Sequence, residues 1–210
     1  MTIIQANCKR PYYCLCCVHM DKSLRLEKLN SVWQENNTCK LKTEATQPVF
    51  GDGNPDSDIV FIGEAPGKKE DETGVPFVGA AGKFLEEMLT SIKQKREDIY
   101  ITNIVKYRPP ENRDPLPEEK DACATWLKDE LNLINPKLIV FLGRHSMSHF
   151  FPDLKISNAH GKLLRTKLDG INTEYFLPLY HPAAALYNGG LRQELFKDFK
   201  KIPLILKKIK

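Results

Sequence analysis

Hydrophobic positions change their spacing several times along this chain, and each change marks an element. Ile59 to Ile62 is an unbroken apolar run rich in β-branched residues, the pattern of a strand buried on both faces. It stops at Glu64-Ala65-Pro66-Gly67, where Pro presets φ and Gly accepts positive φ, so the chain turns at once. The charged stretch Lys68 to Thr73 and an exposed-looking Phe77, set among Gly74, Pro76 and Gly79, read as a long loop. Apolar residues then return at helical spacing, Ala81, Phe84, Leu85 and Met88, and predict a helix over 79–93. Leu26, Leu29 and Trp33 predict another over 24–36. Ala122, Trp126, Leu127 and Leu131 give the buried face of a third, opened by Pro117 with Glu118 and Glu119 in its first turn. Leu195, Phe199 and Ile202 place a last helix over 191–207, which Pro203 should break or end.

Three further strands follow from apolar or alternating runs: 99–102 ending at Asn103, 138–142 closed by Gly143, and 174–179 ending in Tyr180-His181-Pro182. A short helix fits 145–151, and 156–168 reads as a loop with an irregular strand. The stretch YRPPENRDPLP, 107–117, is a long structured loop, and loops of that length in a compact domain are usually functional. Strands alternating with helices predict an α/β protein, a three-layer α/β/α fold around a central, mostly parallel four-stranded sheet. Glu64, Asn103, Gly143 and His181 then each sit just past the carboxyl end of a different strand. They converge on the edge where open α/β sheets bind ligands.

Composition adds limits. A chain of 210 residues with 41% hydrophobic content builds one domain plus small additions. A net charge of +4 permits contact with a polyanion without demanding it. No apolar run is long enough to span a bilayer, and residues 1–20 lack the continuous apolar segment of a secretory signal, so a soluble cytoplasmic protein is expected. Six cysteines are present, and Cys8, Cys14, Cys16 and Cys17 crowd the first seventeen residues. Residues 1–23 therefore read as a Cys-rich extension and 24–210 as the globular domain. In a reducing compartment metal ligation suits such thiols better than disulfides.

Three stretches, GEAPGKKEDETGVPFVGAAGKFL, ITNIVKYRPPENRDPLPEE and HPAAAL, resemble in order the motifs of family 4 uracil-DNA glycosylases, over roughly Asn36 to Phe199. The resemblance implies an enzyme that flips uracil out of DNA, hydrolyses its glycosidic bond and leaves an abasic site for base excision repair, with uracil-containing DNA as partner and a monomer as the working unit. It implies that Phe77 stacks on the base and that Asn103 reads its edge, an amide offering a donor for O4 and an acceptor for N3–H. His181 would donate toward O2 as charge develops there, assisted by backbone around Gly63, Ala65 and Gly67. Ala65 stands where the best-known branch has its aspartate base, leaving Glu70 for the attacking water and Glu64 for holding the loop or nucleotide. Taken singly, these are ordinary packing, turn or solvated residues; only their joint occurrence carries the assignment.

The same resemblance implies DNA contacts. Leu186 or Tyr187 would wedge the minor groove, although the family more often has a basic residue at 187. His160 would touch phosphate or cap its loop, and Lys68, Lys106, Arg108, Arg113 and Lys162 are phosphate candidates. It also implies an iron–sulfur (4Fe-4S) cluster on four cysteines. Here Cys39 and Cys123 match two of the ligands, whereas Asn36 and Tyr107 stand at the others. The expectation is that the cluster is lost and packing around Tyr107 and Trp126 replaces it; the rival is that two of the N-terminal cysteines supply the missing ligands. For function, the alternatives are a uracil-trapping relative, whose histidine-bearing insertion is missing here, and a catalytically weak DNA-binding subunit that keeps the fold.

Overall fold

The computed structural model describes residues 20–209. Four strands, buried along nearly their whole length, form the centre of one sheet: β2 (Ile59–Gly63), β3 (Tyr100–Asn103), β4 (Leu138–Leu142) and β6 (Tyr175–Leu179). They pair in parallel in the order β3-β2-β4-β6. Two-residue strands, β1 (Asp52–Gly53) and β5 (Leu164–Arg165), close the edges antiparallel, so the described sheet has six strands where four were expected. Two residues cannot carry a hydrophobic period, which is why β1 escaped the pattern, whereas β5 falls within the irregular strand expected in 156–168.

Alternate residues along the central strands divide between two cores, as the two-residue period of a strand requires. Val60, Ile62, Ile139, Phe141 and Phe176 pack beneath α1 (Lys22–Asn36) and α4 (Pro117–Ile134). Ile59, Phe61, Ile101, Val140 and Leu177 face α3 (Ala80–Ser91), α8 (Gly189–Phe199) and α9 (Ile202–Lys208). Both faces are covered, and the three-layer arrangement is the expected one. Among the described residues no helix is long and apolar enough to cross a membrane.

Local departures have local causes. Lys68–Thr73 is a short helix, α2, rather than loop, stopped by Gly74 at φ 76°. The predicted last helix splits after Phe199, and Pro203 sits in the first turn of α9, where its missing N–H costs nothing. Three more short α-helices, α5 (Arg144–Phe150), α6 (Ile156–Ala159) and α7 (Pro182–Ala185), lie among the described residues. Phe77 is buried, not exposed.

Candidate active site

The carboxyl edge of the sheet holds a cavity of about 330 Å³ lined by Glu64, Ala65, Gly67, Glu70, Phe77, Asn103 and His181, with Pro109, Asn112 and Arg113 of the proline-rich loop at its rim. All seven residues singled out for the pocket wall from sequence therefore meet in one place. Gly63, the eighth, does not line the cavity but pairs with Asn103 in the β2–β3 register. A Cβ at Gly63 would collide with the Asn103 amide oxygen and stand 2.6 Å from the Phe77 ring. Only glycine lets those two groups close over the strand end.

Phe77 takes a left-handed backbone, φ 54°, which a bulky side chain adopts only when its surroundings impose it. The Arg96 guanidinium imposes it here by donating to the carbonyls of Pro76 and Phe77, the latter at 3.1 Å. From the other side Glu70 Oε1 accepts the N–H groups of Val78 and Gly79 at 2.9 and 2.8 Å. Loop holding, expected of Glu64, thus falls to Glu70, although its second oxygen stays on the cavity wall beside Gly67. Arg96 carried no signal in the sequence beyond its charge.

His181 caps α7. Its Nδ1 accepts from Ala183 N–H at 3.1 Å, which leaves Nε2 to carry the proton. Burial, and secondarily nearby His145, push its pKa down to about 4, so at neutral pH the imidazole is an uncharged donor. Its ring lies 5.9 Å from that of Phe77. Gly143, at φ 103°, yields the space behind it, since a Cβ there would come within 2.9 Å of the His181 Cβ.

Glu64 lies half-buried with Oε1 enclosed and without a hydrogen bond. Burial, then the charge of Asp114, raise its pKa to about 7. His145 Nδ1 faces it at 3.5 Å, while His145 Nε2 receives Arg144 Nε–H at 2.9 Å and has the Asp114 carboxylate 3.2 Å away. Sequence reading missed His145, although it lies two residues beyond Gly143 on the same sheet edge. Glu64, Asp114 and His145 have donor atoms within 4.8 Å of one another, but the Arg144 hydrogen bond already occupies one imidazole nitrogen.

The proposed DNA contacts fare unevenly. Tyr187 is 95% exposed and Leu186 37%, both directly after α7, whose Ala183 lines the cavity. Arg108 bonds Asn112 on the rim at 2.8 Å, and Lys162 is exposed. His160 instead faces Asp198 at 2.9 Å and Glu194 at 3.5 Å, with its ring 4.4 Å from Tyr180, so it ties its loop to α8 and has no ring nitrogen left for phosphate. Lys106 is fully buried against Glu130, which removes it from any phosphate surface.

A family model described as Uracil DNA glycosylase superfamily matches residues 50–202. The chain belongs to that superfamily. A type-4 uracil-DNA glycosylase of Archaeoglobus fulgidus is 46% identical over 84% of this chain and 92% of its own length. Type-4 uracil-DNA glycosylases of Sulfurisphaera tokodaii and Saccharolobus solfataricus are each 45% identical, over 84% and 78% of this chain and 83% and 78% of theirs.

Against the four-cysteine cluster that the resemblance implies, the residues at the expected positions do not fit. Cys39 and Cys123 are buried and share a hydrogen bond, which lowers the Cys39 pKa to about 7 and raises that of Cys123. At the third position Tyr107 fills the space with a ring 2% exposed, stacked at 5.5 Å on Trp33. Asn36 is exposed and donates its amide to Val32 of its own helix. Trp33, Phe50, Tyr107 and Trp126 form a continuous aromatic packing there, with centroids 5.5–5.8 Å apart. The rival ligands Cys8, Cys14, Cys16 and Cys17 lie outside the described residues.

Proposed function

We propose that this protein hydrolyses the bond between uracil and deoxyribose in DNA, leaving an abasic site, as the opening step of base excision repair. The observation that carries the reading is the meeting of a stacking ring, an edge-reading amide and a neutral imidazole donor in one cavity. A base reaches such a cavity only when flipped from the helix. Phe77 stacks on its face. The Asn103 amide oxygen, buried without a partner, awaits an N–H, which N3 of uracil supplies and N3 of cytosine does not.

As the C1′–N1 bond breaks, its electron pair moves onto uracil and the sugar becomes cationic. The Nε2–H of His181 stabilises the anion at O2 while the imidazole remains neutral on both sides of the step. Water adds to C1′ and loses its proton through Glu70, whose unoccupied oxygen lines the cavity; Glu64, ionised above about pH 7, favours the cationic sugar. Leu186 and Tyr187 fill the vacated stack, and Arg108 and Lys162 contact phosphate.

No step passes through a cluster. Active protein without stoichiometric iron is the expected result, whereas several iron atoms per chain would transfer ligation to the N-terminal cysteines. The deciding assay is release of uracil from a labelled oligonucleotide, with the thymine-containing strand as control. Intact product after prolonged incubation with enzyme in excess would overturn the reading.

A further inference from the structure

Lys106 is 0% exposed, as is its partner Glu130, at 3.4 Å. Burying an ion pair brings little net stability, because desolvation cancels most of the attraction, and well-packed apolar replacements often do as well. Its presence in the core therefore calls for a reason other than stability. The ammonium group donates to Asn103 O at 2.6 Å and to Thr102 Oγ1 at 2.5 Å, and it lies 4.0 Å from the Trp126 ring centroid. Glu130 in turn accepts from Tyr100 and Thr102, both on β3.

Asn103 is the last residue of β3, where the strand ladder gives out. Its amide oxygen has no protein partner to aim it. The direction of the side chain is therefore inherited from the backbone of residue 103. That backbone is fixed on one side by pairing with Gly63 and on the other by the bond from Lys106 to its carbonyl.

We propose that Lys106 is a positioning residue for base recognition: from inside the core it holds the Asn103 carbonyl and thereby sets the aim of the amide in the cavity. This rests on the reading of Asn103 as the residue that reads uracil. The hold extends backward through Trp126 into the aromatic packing with Tyr107 and Trp33, so the region that lacks the cluster's ligands supports the site mechanically.

The test is a cycle on the full chain. Lys106→Met/Glu130→Gln removes both charges together, leaving no buried carboxylate unpaired, and the amide oxygen that replaces the carboxylate still accepts from Tyr100 and Thr102. Single-turnover uracil release is measured at a temperature where circular dichroism reports full folding, for wild type, the double variant, Asn103→Ala and the triple variant. A displacement of about 1 Å at a recognition group costs on the order of 100-fold, and that loss is expected in the double variant. In the Asn103→Ala background the same two changes should alter the rate less than about threefold, because their target is already gone. An equal loss in both backgrounds would reveal a merely structural role and overturn the proposal, as would a wild-type rate in the double variant. Should that variant not fold, Thr102→Val removes one anchor of the ammonium with both charges kept, and the same dependence on Asn103 is expected or the proposal fails. An inactive wild type would instead refute the functional reading itself.

Discussion

Replacing Glu64 by Gln tests the electrostatics of the cavity without touching the base-contacting groups. Burial raises this carboxyl from 4.5 to about 7, so the folded protein holds a proton that the unfolded chain releases. The corresponding stability is fully present below pH 4.5 and is lost as the pH climbs through about 7. At about 1.4 kcal/mol per tenfold change, the cost of ionising Glu64 in the folded state at pH 8 is at most about 3 kcal/mol. The side chain is 21% exposed, and solvent screening reduces this to about 1–2 kcal/mol. A glutamine, which never ionises, should therefore raise Tm by roughly 3–6 °C at pH 8 and by little at pH 5. Thermal melts followed by circular dichroism at the two pH values measure it. Equal shifts at both would show that ionisation of Glu64 is not the cause. In single-turnover assays the same substitution should abolish the rise in rate through pH 7 that the wild type is expected to show.

His181→Ala should slow single-turnover uracil release by on the order of 10²–10³, as expected for loss of one donor to a developing anion, with about 1 kcal/mol of stability lost with the α7 cap; a rate within threefold of wild type would remove His181 from the mechanism. Tyr187→Ala, at a position 95% exposed, should leave Tm untouched and slow release from duplex roughly tenfold more than from single strands, since only the duplex has a stack to fill. Tyr107→Ala should cost about 3–5 kcal/mol in denaturant titrations because it empties the stack on Trp33; a cost below about 1 kcal/mol would mean that the ring does not carry the packing. Release measured below saturation should fall steeply with salt as counterions return to the DNA.

Elements whose apolar runs were long enough to show a period were legible in the sequence: the four central strands, α1, α3, α4 and the edge on which Glu64, Asn103 and His181 meet. What stayed hidden depended on distant partners. Lys106 reads as a surface cation because its counter-charge, Glu130, lies 24 residues away, and the choice for His160 between phosphate contact and loop cap stays open because Asp198 lies 38 residues away. Phe77 looks exposed among Gly and Pro, and becomes buried only when Arg96, 19 residues on, clamps its carbonyl. The six residues Lys68–Thr73 are almost wholly charged, so no hydrophobic face announces their helix. That Glu70 rather than Glu64 holds the loop is likewise invisible locally, since both sit in the same motif and only the fold brings the N–H groups of Val78 and Gly79 back to Glu70.

The cavity draws its walls from segments that follow three of the four parallel strands, and the last of these along the chain, β6, delivers His181. A nascent polypeptide extending just through β4 already owns Phe77 and Asn103 but has neither the imidazole nor the wedge residues behind it. Competence to act on DNA therefore arrives late and all at once during synthesis, and splitting the gene anywhere between β4 and β6 would yield two pieces that are silent until they reassemble.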